Sequence, residues 1–84
     1  MVVRQIFRSS VFEKEFKRQD NSLKQEIRKK MQKIYENPEI GKPLRHNLKG
    51  EREVYVRQFR LIYLYQSEEL TFLKFRHKDE AGEN

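Results

Sequence analysis

Apolar residues recur along this chain in two rhythms. Between residues 11 and 34 they return at helical spacing, with Val11, Phe12 and Phe16 in one run, then Leu23, Ile27, Met31 and Ile34 at steps of four, four and three. Ser9 and Ser10 precede the first run as candidate N-caps, and Asp20, Asn21 and Ser22 supply turn and cap chemistry between the two. The pattern predicts a short amphipathic helix over 11–19 and a longer one ending at Asn37-Pro38. Joined so closely, the two should form an antiparallel helix hairpin whose apolar stripe needs another layer to cover.

On either side the rhythm is that of strands. Val2, Val3, Ile6 and Phe7 read as a short opening strand, and residues 38–43 as a loop. After Gly50, Val54 and Val56 alternate with Glu53 and Tyr55; the run 59–65 is apolar enough for a central strand; 66–69 is a polar turn; 70–76 is a last strand. Residues 78–84 are charged or small and predict a tail that frays from 79 onward. The order implies a single α+β domain over 1–84, with an N-terminal strand, a helix hairpin and a three-stranded antiparallel meander.

If Arg57 and Gln58 form a tight hairpin, Val56 lies opposite Phe59, Tyr55 opposite Arg60, Val54 opposite Leu61 and Glu53 opposite Ile62. Val54, Val56, Phe59 and Leu61 then face the helices. Glu53, Tyr55 and Arg60 share the outer face, where a carboxylate, a phenol and a guanidinium come within cross-strand reach. With Leu73 and Phe75 on the core side of the last strand, Phe72, Lys74 and Arg76 join them, and His77 and Lys78 follow at its end. The loop adds Lys42, Arg45, His46 and Lys49. Cations interleaved with aromatic rings suit phosphates and splayed bases, while a plain solvated face with a modest Glu53–Arg60 pair fits the same charges. Lys24, Arg28, Lys29, Lys30 and Lys33 read as the solvated face of the second helix, and Asn47 as the cap of its own turn.

Composition narrows the class. With 84 residues, 19 Lys and Arg against 13 Asp and Glu give a formal charge of +6, which points to a polyanionic partner. There is no cysteine, and the two histidines lack ligand spacing, so neither disulfide nor metal site is implied, nor any cofactor. No segment reads as a signal peptide or a membrane span, which makes the cytoplasm the expected location.

The string PLRHNLKG, followed by FRLIYLY and then LTFLKFRHKDE, resembles the RelE/ParE superfamily of toxins from type II toxin-antitoxin pairs, with PLRHNLKG closest to its YoeB branch. The resemblance spans the whole chain and implies a RelE/ParE-like, microbial-RNase-type fold and a basic toxin neutralised by an antitoxin protein. In the RelE and YoeB branches it further implies a metal-independent mRNA interferase, an endoribonuclease that inhibits translation by cutting mRNA in the ribosomal A site. The ParE branch instead implies a non-catalytic gyrase poison. A degenerate relative that only binds its antitoxin, or a general nucleic-acid binder, would also fit.

By this resemblance Arg60 is the phosphate-stabilising arginine, and Lys78 stands where relatives carry a basic or histidine catalytic residue. His77 is placed for proton transfer near neutrality, Glu53 for a base, and Tyr55 for a donor or stacking platform. Lys42, Arg45, His46, Lys49, Lys74 and Arg76 are RNA-binding candidates. Two departures stand out: Lys42 occupies the approximate position of the glutamate that YoeB-like members use as base, and the ending DEAGEN lacks the family's C-terminal tyrosine.

Overall fold

The computed structural model describes residues 2–44 and 50–81. Ser9 starts the first helix, α1 (Ser10–Lys17): its hydroxyl oxygen accepts the Phe12 amide at 3.0 Å while its own proton goes to the Leu73 carbonyl at 2.7 Å. Asp20 caps the second, α2 (Asn21–Glu36), by accepting the Leu23 amide at 2.8 Å. Phe12 and Phe16 of α1 and Leu23, Ile27, Met31 and Ile34 of α2 are all buried, so the second stripe packs as read from the sequence, while the first packs through its two phenylalanines and leaves Val11 exposed.

The strands are β1 (Gln5–Arg8), β2 (Lys42–Pro43), β3 (Glu51–Val56), β4 (Phe59–Gln66) and β5 (Glu69–His77), in one five-stranded sheet of order β1-β5-β4-β3-β2. β1 runs parallel to β5 and the other pairs are antiparallel. The β3–β4 register is the one the sequence predicts, with Tyr55 opposite Arg60 and Glu53 opposite Ile62. Arg57 adopts φ +55° in that turn, a conformation uncommon for a residue with a side chain, and its guanidinium clamps the hairpin to α2 through Glu26 at 2.6 Å and Ser22 at 2.8 Å. That bond holds the Glu26 carboxyl below its ordinary range. The β4–β5 turn, Ser67-Glu68, has positive φ at both residues, the pattern whose twist matches a right-handed hairpin.

Three expectations need correction. The stretch 38–43 is not all loop: Lys42 and Pro43 pair with Glu53 and Arg52 as the edge strand β2, a unit too short to leave a periodic signal. The last strand does not keep one parity. Ile62 pairs with Lys74 and Tyr63 with Phe72, so Leu73 is an extra residue without a partner in β4, a β-bulge. Parity reverses there, and Leu70, Phe72 and Phe75 all enter the core while Leu73 stays half-buried; Phe72 does not join the outer face. Finally, β5 does not run into a fraying tail at once, because Lys78–Ala81 form one helical turn, α3, whose first amide donates to the Gln58 carbonyl at 2.8 Å.

α1 lies along the part of β5 that β1 does not reach. There the Glu15 carboxylate accepts the Phe75 amide at 2.7 Å, standing in for a missing neighbour strand, and its other oxygen meets Arg76 Nε at 3.2 Å. At the opposite side Tyr63, fully buried, donates to the Pro38 carbonyl at 2.7 Å and accepts the Gly41 amide at 2.9 Å. Burial pushes this phenol above its ordinary value of 10.0, against the opposing pull of the Gly41 amide.

The alkaline limb of the stability curve therefore carries a Tyr63 contribution, fully present below about pH 10 and lost as pH rises through the raised value of the folded state. Urea midpoints at increasing pH above 10 should fall in the wild type. They should fall less in Tyr63→Phe, which is itself less stable throughout, by about 1–3 kcal/mol, because two buried backbone groups lose their partner.

Candidate functional site

The outer face of the sheet carries two cross-strand rows. One is Lys42–Glu53–Ile62–Lys74 and the next is Tyr55–Arg60–Arg76. Alternation explains both, since each residue is out of phase with the apolar set Val54, Val56, Leu61 and Phe75 that meets the helices.

Arg60 and Glu53 form the centre. Arg60 Nε lies 3.1 Å from Glu53 Oε1, with side chains 20% and 8% exposed. The distance is that of an ion pair, yet the angle is too poor for a hydrogen bond, and both atoms are buried without any other hydrogen-bond partner. A guanidinium so held is charged, desolvated and incompletely satisfied. Such a group gains from an incoming oxyanion able to take two of its protons at once.

Around this pair the candidates divide. Tyr55 is directly opposite Arg60 and about half-exposed, its phenol open to a ligand. Arg76 is opposite Arg60 on the other side, but its Nε is bonded to Glu15, so it adds positive potential from a fixed position. Lys74 and Lys42 are exposed at the ends of the neighbouring row.

His77 falls on the other face. It pairs with Phe59, and its ring packs edge-on against Phe59 with centroids 5.4 Å apart. Its Nδ1 lies 3.2 Å from the Asp79 amide, and its Nε2 is 3.3 Å from Gln58 Oε1. Strand parity thus separates His77 from Arg60, and Lys78 sits beyond it, exposed, at the start of α3. Arg45, His46 and Lys49 lie outside the described residues.

Two residues escaped the sequence reading. Glu15 fixes Arg76, and Arg57 anchors the hairpin that carries Tyr55 and Arg60. Both are charged positions on solvated patterns whose partners are distant in sequence, so no local signal marks them. Among the described residues there is no group of three or more His, Asp or Glu arranged to hold a metal ion, and no helix is long and apolar enough to cross a membrane.

Residues 4–82 match the sequence model of the ParE toxin of type II toxin-antitoxin systems, parDE. No curated protein matches the sequence. Among solved structures the chain is similar to E. coli RelE toxin, a mutant in the free state, with a TM-score of 0.77 at 18% identity over 99% of this chain and 90% of that one. It is also similar to a chain of the RelBE2 toxin-antitoxin complex from Mycobacterium tuberculosis, with a TM-score of 0.75 at 19% identity over 90% and 99%. The YoeB dimer from Staphylococcus aureus gives a TM-score of 0.72 at 20% identity over 87% and 94%. At these identities the likeness establishes a shared fold.

Proposed function

The chain belongs to the ParE toxin family of type II toxin-antitoxin systems, within the RelE/ParE superfamily, and from the geometry of its outer sheet face we propose that it is a metal-independent endoribonuclease acting on mRNA in the ribosomal A site. The observation that carries the proposal is Arg60, a mostly buried guanidinium on an otherwise cationic sheet face, with an incompletely satisfied ion pair to Glu53 and an open phenol opposite.

The chemistry follows from those three groups. A scissile phosphate takes two oxygens to the Arg60 guanidinium and displaces Glu53 from it. The freed carboxylate removes the proton from the adjacent 2′-hydroxyl, whose oxygen attacks phosphorus. Negative charge on the pentacoordinate phosphorus is stabilised by Arg60, with Arg76 and Lys74 adding field. The bond to the 5′-oxygen breaks, Tyr55 returns a proton to that oxygen, and the products are a 2′,3′-cyclic phosphate and a 5′-hydroxyl. Lys42 and Lys74, with Lys78 at the rim, are docking contacts, and Arg45, His46 and Lys49 are proposed for the same role from their place in the sequence; His77 positions the end of β5. The partners are mRNA, the ribosome and an antitoxin protein, as the toxin-antitoxin complexes among the similar structures support, and the working compartment is the cytoplasm.

Primer extension on an mRNA incubated with purified protein, with and without ribosomes, tests this. Discrete stops that require ribosomes, in the absence of added divalent metal beyond what ribosomes need, are expected. A second reading is favoured by the family model itself, whose type is ParE: a non-catalytic gyrase poison. No stops under any condition, together with blocked supercoiling by gyrase, would establish that reading instead.

A further inference from the structure

Beside the Arg60 face, between α2 and β3, lies an open pocket of about 260 Å³ lined by Glu26, Lys29, Lys30, Lys33, Tyr55, Val56 and Arg57. Beyond the two residues that pair with β2, β3 is a sheet edge, and α2 flanks it there. Helical spacing is what gathers the charge: residues 26, 29, 30 and 33 recur at steps of three, one and three, and so share one side of α2. Glu26 is spent on Arg57 at 2.6 Å, which cancels the pocket's one acid and leaves the three lysines uncompensated within the lining. A cavity smaller than the roughly 300–1,000 Å³ of sites that enclose a small ligand, and open on one side, fits a segment of a polymer.

Tyr55 belongs to both sites. It walls the pocket, and it is the cross-strand neighbour of Arg60. A chain that places one phosphate on Arg60 and continues past Tyr55 reaches the lysines without leaving the surface. Lysines at the backbone and an exposed ring for a base are the elements of a single-strand track.

We infer that this pocket holds the phosphodiester backbone of the single-stranded RNA flanking the bond at Arg60. The inference rests on the nuclease reading, since it assigns the pocket to the same strand. It converts the lysine face of α2 from a solvating surface into a positioning subsite, in which Lys29, Lys30 and Lys33 contact phosphates that do not react.

The test is fluorescence anisotropy with a labelled 2′-O-methyl RNA of about a dozen nucleotides, which binds but lacks the nucleophile for cleavage. Wild type is compared over a salt series with Lys29→Gln/Lys30→Gln/Lys33→Gln and with the charge-matched Lys14→Gln/Lys17→Gln/Arg18→Gln on and after α1, whose positions do not line the pocket. Each phosphate contact contributes roughly 0.7 to the slope of log K against log salt, so the pocket variant should lower that slope by about 2 and the α1 variant should leave it nearly unchanged. Equal loss in both variants would reduce the effect to net charge and overturn the inference. So would an unchanged slope in the pocket variant, or lysine-dependent binding of poly-glutamate with no binding of RNA, which would assign the pocket to an acidic protein. Because the probe is not cut, these results stand apart from primer extension: a wild type that cuts while its pocket variant keeps the full slope refutes the pocket alone.

Discussion

Arg60→Ala should abolish detectable mRNA cutting, a loss of roughly 100- to 1,000-fold by analogy with removal of a single charge-stabilising donor from a preorganised site. The guanidinium is the only group on the Tyr55–Arg60–Arg76 row that is both central and free of a competing helix partner. Its removal also leaves Glu53 buried without a counter-charge, at a cost of about 3–5 kcal/mol, comparable with the whole stability of a small domain. Lost activity in Arg60→Ala alone would therefore be ambiguous.

Arg60→Lys resolves it. The charge stays to face Glu53, so the thermal midpoint should move little. The planar fork that binds two phosphate oxygens is gone, so cutting should still fall at least tenfold. Circular dichroism melts and primer extension on the same preparations separate the effects. A folded Arg60→Lys that cuts at the wild-type rate would refute bidentate phosphate binding at this position. A folded Arg60→Ala/Glu53→Gln that still cuts would remove Arg60 from the chemistry altogether.

The largest effect on stability is expected at Gly41. A Cβ there would stand 2.6 Å from the Tyr63 hydroxyl oxygen and 2.9 Å from the Glu53 carbonyl oxygen. Neither neighbour can yield easily. The Tyr63 hydroxyl is fixed by the Pro38 carbonyl and the Gly41 amide, and the Glu53 carbonyl belongs to the backbone of β3. Gly41→Ala should cost about 2–3 kcal/mol through overpacking and disturbed hydrogen bonds, or roughly 10–20 °C in the thermal midpoint. The displaced backbone is the one that carries Glu53, so residual cutting measured well below the new midpoint should fall too. A variant with wild-type melting would mean that the loop at 38–41 relaxes without moving Tyr63.

Local pattern determined a good part of this protein. Helix positions followed from the return of Leu23, Ile27, Met31 and Ile34 at helical steps, and caps from Ser9 and Asp20, because both depend on neighbours within one or two turns. The β3–β4 register followed as well, since only one pairing puts Val54, Val56 and Leu61 together against the helices. With it came the grouping of Glu53, Tyr55 and Arg60 on the outer face.

Tertiary structure decided what local pattern leaves degenerate. In LTFLKF, either Leu73 or Phe72 can share a face with Phe75, depending on whether the strand is regular; the bulge settles the matter for Phe72, and the Leu73 carbonyl finds its proton on Ser9, far away in sequence. The same holds for β2, a strand only because Glu53 and Arg52 are there to pair with it, and for Glu15, which completes β5 from a helix. Parity at the end of β5 put His77 against Phe59 rather than beside Arg60. Sequence periodicity fixes which residues can share a face; contacts between distant segments fix where that periodicity is broken, and so which side chains meet.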